Sequence, residues 1–319
     1  MNATERTILE QFDYWHQALT LDLEAVRLEP GPVAVIGCGT SYYLAQSIAA
    51  VLNASGHHGA IAVPAGEWHL RRASYIPDVK VQVLALSRSG STTETVNAAK
   101  ASLEAGERVI GITCEKNSQL ERVSTHCIYA PTHPLEDIVM TTSASLMLLI
   151  GLALAGTKIT PEGINQAKKL LEQTRDRLDV LIQGRSHFVY LGGGSLYGIA
   201  SEGALKLMEM SLSFSQAYHP LEYRHGPISL IDERSLAVML YSPDTLEQET
   251  KLVSELREKG AKVIGFGGAG DLSLELPDTS ALRGLIALPT LQWLGERVAQ
   301  GKGLNTREPR HLTKVVVLS

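Results

Sequence analysis

Val33-Ala34-Val35-Ile36-Gly37-Cys38-Gly39-Thr40-Ser41 runs an unbroken apolar stretch into two closely spaced glycines and two hydroxyl residues. Such a run, with no polar alternation, reads as a strand buried on both faces of a parallel sheet, and the helical pattern through Asn53 reads as the crossover after it. The pattern returns along the chain. Val81-Gln82-Val83-Leu84-Ala85-Leu86 leads into Ser87-Arg88-Ser89-Gly90-Ser91-Thr92, Val109 to Ile112 makes another strand, and His187-Phe188-Val189-Tyr190-Leu191 enters Gly192-Gly193-Gly194-Ser195. Ser235 to Leu240 and Lys262 to Phe266 supply further strands. Strands alternating with helices predict βα units around a parallel sheet. The repeat of the strand, glycine turn and helix at Ile36-Gly37 and at Leu191-Gly192 predicts an internal duplication of a flavodoxin-like domain. Turn residues from Gly156 to Gly163 place the boundary, giving an N-terminal helix plus first domain over 1–156 and a second domain with a C-terminal tail over 157–319. Ligands of open parallel sheets sit beyond the carboxyl ends of the strands, where the conspicuous loops fall.

Composition removes several classes. A chain of 319 residues with a net charge of −5 gives no electrostatic reason to bind nucleic acid, although a local pocket for a phosphorylated small molecule remains open. The 3 cysteines, Cys38, Cys114 and Cys127, form no C-x-x-C pair and read as reduced thiols of a cytoplasmic protein. The polar start from Met1 to Thr7 does not read as a signal peptide. The longest apolar run, Leu146 to Ala155, falls short of the ~20 residues that cross a bilayer, so no membrane segment is expected.

Two stretches carry chemistry. In Ser201-Glu202-Gly203-Ala204-Leu205-Lys206-Leu207-Met208-Glu209, Lys206 and Glu209 stand on one helix face with Glu202 a turn earlier, so an ammonium and two carboxylates converge. Glu222-Tyr223-Arg224-His225-Gly226-Pro227 follows and adds a histidine to this acid/base set. The plainer alternative is a solvated face with a Glu202–Lys206 ion pair. In the other stretch, the hydroxyls from Ser87 to Thr95, added to free N–H groups at a helix start, can surround a phosphate. Its alternative is a capping cluster, with Ser89 or Ser91 as N-cap and Glu94 closing a capping box, and the two readings can coexist. Gly265-Phe266-Gly267-Gly268-Ala269-Gly270 matches a dinucleotide pattern, but the residues after it look extended where a helix is required. His57-His58 and Arg71-Arg72 read as solvated residues, and neither a metal nor a cofactor is expected.

Cys38-Gly39-Thr40-Ser41, Ser87-Arg88-Ser89-Gly90, Glu202 to Glu209, Arg224-His225-Gly226-Pro227, and Pro309-Arg310-His311-Leu312-Thr313-Lys314 before a terminal valine run stand in this order. Together they resemble the sugar isomerase (SIS) family, specifically the isomerase part of glucosamine-6-phosphate synthase and its stand-alone deaminase relatives. The resemblance implies an α/β chain of two tandem SIS (flavodoxin-like) domains, each a parallel sheet flanked by helices. It implies a sugar-phosphate site of Thr40, Ser41, Ser87, Arg88, Ser89 and Thr92, with Val139 and Thr141 lining the sugar, and Glu202 and Arg310 as further substrate-binding residues. It assigns Glu209 as the base moving a proton between C1 and C2, Lys206 as its partner, and His225 as the ring-opening residue, supplied by the neighbouring subunit of a homodimer. Lys314 matches the lysine that forms a Schiff base with the ketose carbonyl, and the nearby cation of Arg310 favours a neutral amine. A strand-edge gatekeeper before the terminal valines is the alternative for Lys314.

The chain starts with the isomerase-like part and lacks a glutaminase-like domain, so synthesis from glutamine is not expected. Arg88 and Ser91 replace the Gln and Glu common in the synthase loop, and Ser143 stands where the synthase carries lysine, which leaves the sugar open. The expectation is a hexosamine-6-phosphate deaminase/isomerase that turns a phosphorylated amino sugar such as glucosamine 6-phosphate into a ketose phosphate and ammonia. A plain aldose/ketose isomerase, a fructosamine-6-phosphate-type deglycase and a non-catalytic sugar-phosphate sensor are the alternatives.

Overall fold

The computed structural model describes residues 1–76, 79–277 and 280–316. In chain order the elements are α1 (Ala3–Leu9), α2 (Gln11–Ala18), β1 (Val33–Gly37), α3 (Thr40–Ala54), β2 (Ile61–Pro64), α4 (Ala65–Arg71), β3 (Gln82–Leu86), α5 (Thr93–Glu104), β4 (Val109–Thr113), α6 (Gln119–Arg122), β5 (His126–Tyr129) and α7 (Thr142–Leu154). There follow α8 (Pro161–Thr174), α9 (Asp179–Ile182), β6 (His187–Gly192), α10 (Ser195–Ser211), β7 (Ser215–Tyr218), β8 (Ser235–Leu240), α11 (Leu246–Glu258), β9 (Lys262–Phe266), β10 (Leu272–Leu274) and α12 (Ser280–Gly301).

Two parallel five-stranded sheets result, ordered β2-β1-β3-β4-β5 and β10-β9-β8-β6-β7. Read from β7, the second repeats the order of the first, the doubly wound flavodoxin-like arrangement in which the chain reverses direction beside its first strand. The strands β1, β3 and β4 are buried along their whole length, which is why they are continuous apolar runs. α7 is apolar on every side because it is buried on every side. Gly265 to Gly270 joins β9 to the strand β10, so the segment lacks the strand-to-helix context that a dinucleotide turn requires.

The chain divides into two compact units that do not follow the expected cut between 156 and 157. Glu10–Thr160 and the tail from His311 form the N-terminal-half unit, whereas Met1–Leu9 and Pro161–Arg310 form the C-terminal-half unit. Short polar ties explain the exchange. The Asn2 side chain donates to Glu296 Oε1 at 2.6 Å and Thr306 donates to Thr4 Oγ1 at 2.9 Å, which fixes α1 in the C-terminal-half unit. Trp15 Nε1 donates to Ser145 Oγ at 2.7 Å, which fixes α2 against α7 in the other. Val315 and Val316 form no strand, and the rest of the terminal run, from Val317, lies outside the described residues.

Candidate functional site

In the N-terminal-half unit, β3 ends at Leu86 and the hydroxyl loop from Ser87 to Thr92 carries the chain to α5. Gly90 has φ of +58°, and a Cβ there would lie 2.3 Å from Ser118 Oγ, so only glycine fits the turn. Ser87 Oγ accepts from Gly90 N at 3.1 Å and donates to Thr92 Oγ1 at 3.3 Å, while Ser89 Oγ accepts from Ser91 N at 3.2 Å. The Arg88 carbonyl is moored to β4 by Cys114 N at 2.9 Å and Thr113 Oγ1 at 3.2 Å. The alternative of a capping box is not what forms: Thr92, and neither Ser89 nor Ser91, is the N-cap residue of α5, and it makes no side-chain cap hydrogen bond. Ser89, Ser91 and Thr92 are half-buried beside that helix start, an arrangement that suits an anion.

Thr40 and Ser41 open α3 and are both buried. Val139 is buried and Thr141 is wholly so. The sequence reading missed Glu136, whose side chain is 1% exposed. Its Oε2 accepts from Thr141 N at 3.0 Å, Thr141 Oγ1 at 3.0 Å and Ser143 N at 2.9 Å, satisfying donors at the start of α7 that no helical carbonyl reaches. The available signal was an acidic pair, Glu136-Asp137, just ahead of hydroxyl residues that start a long apolar helix.

Arg88 does not extend into the loop's mouth. Its guanidinium donates to Asp137 O at 2.6 Å and Lys314 O at 2.9 Å, with Glu136 Oε1 3.7 Å away. Lys314 is exposed, and its amine reaches Glu136 O at 3.5 Å. Arg310, the cation expected beside Lys314, is an exposed residue ending the other unit, and the cation on the Lys314 backbone is Arg88.

In the C-terminal-half unit, α10 carries the charged set. Lys206 lies 3.6 Å from Glu202 Oε1 and hydrogen-bonds Glu209 Oε2. Glu202 and Lys206 are buried, with side chains 0% and 1% exposed, while that of Glu209 is 20% exposed. A solvated helix face is therefore excluded: the ammonium is buried and held by carboxylates on both sides, and Glu209 alone of the three retains access to a ligand. His225 is exposed at the end of a short 3-10 turn from Glu222 to Arg224. The turn is anchored beside it by Arg224, which pairs with both oxygens of Glu255 on α11 at 3.0 Å.

Among the described residues no His, Cys, Asp and Glu group could hold a metal ion, and no helix is long and apolar enough to cross a membrane. The cysteines are free, and burial pushes each thiol up, that of Cys127 to about 11.

Duplicated flavodoxin-like units, one with a hydroxyl loop and one with a carboxylate–ammonium–carboxylate set, define the class. The family model for the SIS domain matches residues 30–155 and 181–276, and the chain belongs to that family. Similar in sequence is a glutamine–fructose-6-phosphate aminotransferase (isomerizing) of Caldanaerobacter subterraneus, 30% identical over 93% of this chain and 53% of its own length. A second from Pyrobaculum aerophilum is 29% identical over 90% of this chain and 51% of its own length, so the chain spans about half the length of the curated relatives it matches. A glucosamine-6-phosphate deaminase of Thermotoga maritima shares the structure with a TM-score of 0.84 and 31% identity, over 99% of this chain and 100% of that one. A tagatose-6-phosphate ketose/aldose isomerase of Escherichia coli, at 24% identity and a TM-score of 0.83 over 100% of this chain and 96% of that one, shares the fold.

Proposed function

We propose that this chain is a sugar-phosphate enzyme that isomerises and deaminates a hexosamine 6-phosphate such as glucosamine 6-phosphate in the cytoplasm. The observation that carries the reading is the buried Lys206 ammonium between Glu202 and a partly exposed Glu209. In this reading Glu209 removes the C2 proton of the open-chain amino aldose and returns it to C1, giving a ketose imine. Lys206 holds the carboxylate in place and steadies its charge. Exchange of the imine nitrogen for the Lys314 amine releases ammonia, and water then frees the ketose phosphate and restores the lysine, so the sum is amino sugar phosphate plus water to ketose phosphate plus ammonia. The hydroxyls of the Ser87–Thr92 loop hold the phosphate. The similarity to a glucosamine-6-phosphate deaminase, at 31% identity over 99% of this chain, supports the deamination part of this reading.

A panel of glucosamine, galactosamine and fructose 6-phosphates, with ammonia and ketose assayed separately, tests this reading. Ammonia release from an amino sugar phosphate is expected; aldose/ketose interconversion without ammonia would leave a plain isomerase, and neither product would leave a sensor. The exposed His225 further supports a site completed across a homodimer, in which it opens the sugar ring of the partner's substrate. Co-expressed His225→Ala and Glu209→Gln, each inactive alone, then regain partial activity in heterodimers. No recovery in isolated heterodimers would return His225 to its own subunit.

A further inference from the structure

We propose that Arg88 and Glu136 form a latch that seats the Lys314 segment against the serine loop, making Arg88 a positioning residue for Lys314 and not a phosphate ligand. Both halves of the latch are fixed from behind. The Arg88 carbonyl is bonded by Cys114 N and Thr113 Oγ1, and Glu136 Oε2 takes three donors from Thr141 and Ser143 at the start of α7. Between these anchors the Arg88 side chain is 8% exposed and Glu136 Oε1 lies 3.7 Å from it, so its charge is balanced inside the protein. Of the carbonyls it grips, Asp137 O belongs to the segment that Glu136 already fixes. Lys314 O belongs to an exposed tail without regular secondary structure. A second tie, from Thr93 N to Val316 O at 3.4 Å, brings the same tail to the start of α5.

The planar guanidinium suits this task because its donors diverge to two carbonyls while the charge faces a carboxylate; a lysine offers one compact ammonium and cannot span them. The residue next to Ser87 therefore spends its donors on the Asp137 and Lys314 carbonyls and leaves the anion to hydroxyls and N–H groups. Arg88 thus belongs to the serine loop by its backbone carbonyl and holds the Lys314 segment by its side chain. The catalytic consequence rests on the proposed role of Lys314; the latch itself rests on the contacts alone.

The test uses Arg88→Lys and Glu136→Gln in the full chain, each checked for a cooperative melt. Trypsin cleavage after Lys314 attacks the very carbonyl that Arg88 holds, so release of the terminal peptide should accelerate about tenfold or more in both variants relative to cleavage at other basic residues. Ammonia release from glucosamine 6-phosphate should fall about tenfold or more in kcat with KM changed less than about twofold. Unchanged cleavage in both variants overturns the latch, as does a raised KM at unchanged kcat in Arg88→Lys, the mark of a phosphate ligand. Faster cleavage with Lys314→Ala as active as the parent upholds the latch and removes Lys314 from the chemistry.

Discussion

Gly39 and Gly194 start α3 and α10 with φ/ψ of 53°/−125° and 54°/−125°, the same turn twice, yet what each helix carries beyond it differs. Counted from those glycines, Glu202, Lys206 and Glu209 of α10 correspond to Ser47, Val51 and Ala54 of α3, which bear no charge. The next strand-to-helix loops differ in the opposite sense. Thr92 and Thr245 are the N-cap residues of α5 and α11, and four residues later stand Val96 and Glu249. Glu249 folds back to accept from Ser242 N at 2.8 Å and Thr245 Oγ1 at 2.9 Å, so the second half fills its own loop with a carboxylate. The first half, with a valine there, does not fill its loop in this way. One sheet topology thus serves two ends: a loop whose donors suit an outside anion, and a helix whose charges suit proton transfer.

The sharpest break of that division is expected at Glu209. Glu209→Gln keeps shape but cannot accept the proton, so turnover should fall by about 10²–10⁴-fold while affinity for sugar phosphate holds. Exchange of the C2 proton with deuterated solvent at the parent rate would move the base elsewhere. A smaller effect with the opposite kinetic signature belongs to the loop. Ser89→Ala or Thr92→Ala removes one donor to a charged group, worth about 1.5–3 kcal/mol, so KM should rise by roughly one to two orders of magnitude with kcat nearly kept. Equal affinity of the parent for phosphorylated and free sugar would end the assignment.

The central strands were legible in the sequence because they are buried on both faces, as were both glycine turns, which need backbone conformations few other residues adopt. The edge strands β5 and β7 were not: His126-Cys127-Ile128-Tyr129 and Ser215-Gln216-Ala217-Tyr218 are short, half-exposed and polar at intervals. In the candidate site, the converging charges of α10 followed from helical spacing, but their burial did not, because the packing of α12 on α10 is long-range. The contacts of Arg88 escaped for the same reason, since the Lys314 segment that Arg88 grips is remote in sequence, whereas the bonds of Glu136 to Thr141 and Ser143 are local. The exchange of the chain's ends between units likewise rests on single hydrogen bonds that no local pattern announces.

The smallest effects concern the loop that fills itself. Glu249→Ala leaves Ser242 N–H and the Thr245 hydroxyl without their acceptor and should cost about 1–3 kcal/mol of stability with KM unchanged. Glu249→Gln is subtler and sets a sign. Burial pushes the Glu249 carboxyl above its ordinary value of 4.5, against the pull of the Ser242 N–H and the Thr245 hydroxyl. A carboxyl raised in the folded state binds its proton more tightly there than in the unfolded chain. Its contribution to stability is complete below the ordinary value and is lost as pH rises through the raised one. Glutamine does not titrate. The melting temperature of Glu249→Gln relative to the parent should therefore shift in the variant's favour as pH climbs from about 4 through that window, and then level off. A difference that stays flat across those pH values, or moves towards the parent, would mean that the loop's donors hold the carboxylate charged at no cost from burial, and the second loop would then be a better anion site than the first.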